Sequence, residues 1–194
     1  MAAVSPKVKL ADTALRLLAK TRWTDLTIAA VARAAKTPLA SLQAVAPNKP
    51  LLFGLILNRI GADVARTYRP ERKSDDVRDR LLDVALTWFE ALRSRKAAVR
   101  SLYEGLRRDP LSLLAARTEI VSAANWLLTL AEADTGRGLP ARALAFAGIL
   151  SRAIPIWLED DQQLSATMAR LDEDLRRSGI IFGQRSPATR AAGG

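Results

Sequence analysis

Apolar residues recur along this chain with the period of a helix almost from end to end. Val8, Ala11, Leu15 and Leu18 make one stripe, and Ser5-Pro6 before them predicts a helix from a cap to about Lys20. Leu52, Ile56, Ile60 and Val64 repeat every fourth position after Pro47-Asn48, which predicts a long helix capped there and reaching about Tyr68. The stretch 68–76 carries charge and a proline without periodicity and reads as a boundary loop. Leu81, Ala85, Trp88 and Leu92 then predict a helix from Val77, with Asp75-Asp76 at its start, to about Ser94. Val99, Leu102 and Leu106 predict another from about Ala97 to Arg108. Asp109-Pro110 is a stop and restart, with the acid as cap and proline at the first helical position, opening a helix to about Ala133. A loop at 136–140 follows. The segment 142–158 is apolar nearly all round, so it is expected to be buried on most faces and to kink or end early at Pro155. The last helix is expected from Asp160 to about Ser178, with Asp160 and Gln163 at capping-box spacing, a stripe of Leu164, Met168, Leu171 and Leu175, and Gly179 as its C-cap. No strand pattern or internal repeat emerges.

The one stretch whose pattern points beyond packing is 27–49. Ile28, Val31, Ala32 and Ala35 fall at i, i+3, i+4 and i+7, with Thr27 placed as N-cap. Thr37-Pro38 restarts a helix, the hydroxyl placed to cap and the proline at the position where its missing N–H costs nothing. Leu39 and Leu42 are expected to point inward from this second helix and Ser41 and Gln43 outward. Two short helices joined by a few residues form a helix-turn-helix, the unit that lays its second helix in a DNA major groove. Trp23, in the connection before it, is expected to pack as a lid on this small head.

Charge changes the picture in the same place. Residues 1–50 hold eight basic groups (Lys7, Lys9, Arg16, Lys20, Arg22, Arg33, Lys36, Lys49) against Asp12 and Asp25, a net of +6 within a chain of net +10. Positive charge is therefore concentrated where phosphate binding would want it. The chain of 194 residues has no Cys and no His, which excludes thiol chemistry, Cys/His zinc sites, Ser-His-Asp triads and imidazole acid–base catalysis. Lys7, Lys9 and Asp12 interrupt the early apolar residues, so no signal peptide is expected. The segment 141–158, with Arg142, Arg152 and Pro155, is expected to fall short of a membrane span.

At 27–49 the chain resembles the TetR family of bacterial repressors, over roughly its first sixty residues. Val31-Ala32 and Ala35 fit the family's first motif helix, Ser41-Leu42 stands where Thr-Leu is usual, and Lys49 takes the place of a phosphate-anchoring lysine. Lys36 stands at the turn glycine, Gln43 at a usual tyrosine and Ala46 at a phenylalanine. A lysine at a turn needing φ > 0 costs about 1 kcal/mol, which a fold survives. The resemblance implies an all-α, TetR-like architecture. A three-helix helix-turn-helix head would occupy 1–50, a helical ligand-binding and dimerisation body 51–183, and a disordered tail 184–194. It implies a cytoplasmic, homodimeric transcriptional regulator that binds double-stranded DNA, with Thr27, Lys36, Thr37, Ser41, Gln43 and Lys49 at the interface. It implies an apolar ligand pocket in the body, for which Trp88, Phe89, Tyr103, Asn125, Trp126 and Phe146 are the candidates. It also implies a four-helix dimer interface from the last two helices, at Leu144, Gly148, Leu164, Met168, Leu171 and Leu175.

A second resemblance lies in the body. Asn125-Trp126, Trp157-Leu158-Glu159-Asp160-Asp161, Thr167-Met168 and Leu171-Asp172 look like TetR-fold accessory proteins of coenzyme Q biosynthesis, which bind isoprenoid lipids and do not act as repressors. That implies the alternative of a lipid-binding protein that does not read DNA. An enzyme is not expected, since no acid, base and nucleophile come together, and no cofactor or metal is implied. Glu159-Asp160-Asp161 is explained as acidic residues at a helix start.

Overall fold

The computed structural model describes residues 5–69, 76–134, 138–179 and 182. Among them are nine α-helices and one 3-10 turn, and no strand: α1 Pro6–Leu18, α2 Ile28–Ala34, α3 Leu39–Gln43, α4 Lys49–Thr67, α5 Val77–Leu92, the turn Arg93–Arg95, α6 Lys96–Arg108, α7 Pro110–Leu130, α8 Leu139–Glu159 and α9 Ser165–Arg177. Most of the expected 68–76 loop, part of the 136–140 loop and the tail beyond Gly183 lie outside the described residues. The all-α expectation holds.

The helices group into two compact units, residues 1–63 with 91–123, and 64–90 with 124–194. In the first, Leu10, Ala14, Leu15 and Leu18 of α1 are buried, as are Val31, Leu42, Leu52, Ile56, Ile60, Val99 and Leu102. Trp23 is buried too, edge-on to Phe53 at 6.2 Å between ring centroids, the lid its position suggested. It lies so close to α6 that a Cβ on Gly105 would come within 2.6 Å of the Trp23 Cβ. Polar ties reinforce this unit. Arg59 of α4 pairs with Asp12 of α1 at 2.9 Å and with Asp63, and Arg95 of the 3-10 turn reaches the other Asp63 oxygen at 2.8 Å. Partial burial pushes the Asp63 carboxyl up, but the hydrogen bonds from Arg59 and Arg95 outweigh it and hold the pKa below the ordinary value.

The second unit is centred on Phe89, Trp157, Phe146, Ile149, Leu171 and Leu175, all essentially inaccessible to solvent. Phe89 and Trp157 are 5.7 Å apart, and Phe146 meets Phe182 at 6.4 Å. α8 and α9 pack on each other, and buried Asp174 of α9 accepts from Arg152 of α8 and from Arg170. Arg78 of α5 pairs with Asp172. At the end of α7, Glu132 takes φ 51 and its N–H bonds to Thr129 O, while the N–H of Ala133 reaches Leu128 O. Arg80 donates to the carbonyls of Ala131 and Glu132 beyond that end.

Three local expectations are corrected here. α8 does not end at Pro155 but continues to Glu159, because the missing N–H removes one hydrogen bond while Ala153, Trp157 and Leu158 remain buried. That helix is also long and apolar enough to cross a membrane by length and composition, contrary to the expectation that it would fall short. Eight of its residues, from Ala143 to Leu158, are buried, and its Arg152 pairs with Asp174 of α9. α9 starts at Ser165 rather than Asp160, after Leu164 in the left-handed region at φ 56. Asp160 still caps it, from a distance, by accepting the N–H of Thr167 at 2.7 Å and its hydroxyl at 2.6 Å. Those bonds overcome the upward push of burial and lower the Asp160 pKa.

Candidate nucleic-acid interface

The interface is built from α2 upward. Thr27 has extended backbone and its Oγ1 accepts from Ala30 N at 3.1 Å, so the predicted cap forms and starts α2 on register. Val31 and Ala32 are buried and hold the helix to the core. Its far end closes as a Schellman motif: the N–H of Lys36 bonds to Arg33 O and that of Thr37 to Ala32 O, both at 3.0 Å. Lys36 sits at the left-handed position with φ 49, the place where glycine is usual.

α3 is five residues long, too short to hold itself as a helix. Leu42 and Ala46 are fully buried, with Ala46 N bonded to Leu42 O at 2.7 Å, and this burial sets the helix in place. Ser41 and Gln43 consequently face solvent, as expected. Leu39 does not turn inward: helical spacing puts it on the same side as the buried Leu42, yet as the first residue of α3 it is 54% exposed. Thr37 does not cap α3 either. Pro38 occupies the N-cap, and the Thr37 hydroxyl donates back to Ala35 O at 3.2 Å, within the turn.

Lys49 begins α4, which Asn48 caps by accepting Leu51 N at 2.9 Å. The Lys49 ammonium is directed at protein rather than solvent. It donates to the carbonyls of Trp23 and Thr24, each at 2.9 Å, and lies 5.3 Å from the Trp23 ring centroid. Partial burial lowers its pKa, opposed by the nearby Asp25 and Asp109 carboxylates. Two of its three donors are thereby used to tie the connection before α2 to the start of α4. No local pattern signals this, since the partners are 25 and 26 residues away. Lys36 and Arg33 are exposed on the α2 side.

The residues expected to line a pocket are dispersed. Trp88, Phe89 and Phe146 are buried in the second unit, Trp88 edge-on to Phe89 at 4.9 Å, and the structure adds Trp157 to them. Asn125 is half-buried, Trp126 is 45% exposed, and Tyr103 belongs to the first unit. Of the residues expected at a dimer interface, Leu164, Leu171 and Leu175 turn into the unit's own core. Leu144 and Met168 stand out at 45% and 46% exposure, and Gly148 is half-exposed.

No protein-family model matches the chain, and no curated protein matches it. Among solved structures, it is similar to a TetR transcriptional regulator from Rhodococcus sp. RHA1, with a TM-score of 0.64 and 13% sequence identity. The match covers 92% of this chain and 96% of that one. The fold is therefore TetR-like over nearly its whole length.

Proposed function

We propose that this protein is a DNA-binding transcriptional regulator, with the head at 1–50 placing α3 in the major groove. The observation that carries the reading is the α2–α3 pair itself. A Schellman turn and the buried Leu42 hold α3 with Ser41 and Gln43 outward, on the segment of greatest positive charge, in a fold shared with a transcriptional regulator. Ser41 and Gln43 contact base edges, Gln being suited to adenine. Lys36 and Arg33 hold phosphates, and Thr27 and Thr37 keep α2 and the turn in the geometry that aims them. Lys49 positions the head through Trp23 and Thr24, with its third donor left for a phosphate.

The body at 51–183 forms a homodimer through α8 and α9, with Leu144, Gly148 and Met168 at the contact. The two heads would then enter successive major grooves about 34–36 Å apart. A small apolar ligand held near Trp88, Phe89 and Phe146 would alter that spacing by favouring one of two arrangements.

The test is binding to the DNA upstream of the protein's own gene and to an unrelated duplex, across a salt series. A preference of about a hundredfold for its own DNA, lost in Gln43→Ala, is the expected result. Weak binding to both that vanishes together as salt rises would reject the regulator and leave a basic scaffold.

A further inference from the structure

The exposed face of the reading helix is unusual in what it presents. Leu39 is 54% exposed, and Ala40, Ser41, Gln43 and Ala44 are also exposed, while Leu42 alone is buried. No arginine, lysine, aspartate or glutamate occurs between Pro38 and Ala46. Guanine is read in the major groove chiefly by bidentate Arg or Lys at O6 and N7, and cytosine by a carboxylate at N4. This helix has neither. What it offers is one bidentate amide, matched to adenine N6 and N7, one hydroxyl, and apolar groups that match only the thymine C5-methyl. A large exposed leucine on a one-turn helix has no partner in the core to account for it.

We propose that α3 selects A·T-rich half-sites, with Leu39 packing on a thymine methyl, Ala40 or Ala44 on a second, and Gln43 bridging an adenine. The inference rests on the regulator reading and adds the base class that the regulator recognises. Phosphate contacts from Lys36 and Arg33 supply affinity without sequence information, so selectivity falls to these few side chains. Burying one methyl group accounts for about a fourfold change in affinity.

The experiment is selection of bound sequences from a random duplex pool with the full chain, followed by replacement of thymine with uracil in the selected half-site. Uracil keeps every hydrogen-bonding group and removes only the methyl. Expected are enriched runs of A·T pairs, a loss of about fourfold for each contacted thymine replaced, and loss of that sensitivity at one position in Leu39→Ala. Because Leu39 is exposed, that variant keeps its fold, which far-UV circular dichroism verifies. Enrichment of G·C-centred sites, or equal affinity for thymine and uracil duplexes, would overturn this inference while leaving the regulator standing. Failure to enrich any sequence would remove both.

Discussion

Lys36 shows what a single residue reveals and conceals. Its φ of 49 places a lysine where glycine relieves strain, and the two Schellman hydrogen bonds hold it there. Lys36→Gly should raise stability by up to about 1 kcal/mol in urea denaturation. It should also reduce the slope of log K against log salt for DNA binding by about one. The left-handed turn was legible only through the family resemblance, which places a glycine there, whereas the Thr27 cap was legible from its immediate neighbours. The role of Lys49 was not. Its ammonium ties down carbonyls of Trp23 and Thr24, so Lys49→Met should cost about 1–2 kcal/mol while keeping the length of the stem. An unchanged urea midpoint would show that the two bonds contribute nothing net.

At the scale of elements, the short α3 depends on what lies under it. Leu42 is its one fully buried side chain, so Leu42→Ala is expected to cost about 2–4 kcal/mol and to loosen α3 selectively. Amide hydrogen exchange in residues 39–46 would show that loosening ahead of global unfolding. α6 meets the Trp23 side chain at Gly105, where a Cβ would also stand 2.8 Å from Trp23 Cδ1. Gly105→Ala is therefore expected to destabilise by about 1–3 kcal/mol, read as a lower thermal midpoint. Helix periodicity located nearly every element, yet it misplaced the start of α9 by several residues. The capping-box spacing was present in sequence, but Asp160 reaches forward to Thr167 instead, across the turn that Leu164 makes at positive φ. Such a turn has no signature when the residue adopting it is a leucine.

Across the whole molecule, carboxylates with lowered pKa values occur in both units. Burial opposes the shift at Asp63, Asp160 and Asp172, and hydrogen bonds from Arg59 and Arg95, from Thr167, and from Arg176 and Arg78 prevail. A carboxyl whose folded pKa lies below its unfolded one contributes stability above the unfolded value, and that contribution is lost as pH falls through the folded value. The urea midpoint should thus be flat from about pH 7 to 5 and fall below about pH 4. A midpoint that rises on acidification would contradict these pairings. The all-helical class, the order of the helices and the helix-turn-helix were determined by sequence alone, because periodicity, caps and turn residues act over one or two turns of chain. Tertiary structure decided which side of each helix became core. It buried Leu171 and Leu175 while exposing Met168 and Leu144, turned Leu39 outward, and drew Lys49 onto Trp23. An amphipathic stripe states that a face will be covered, and only the packing of distant helices states by what.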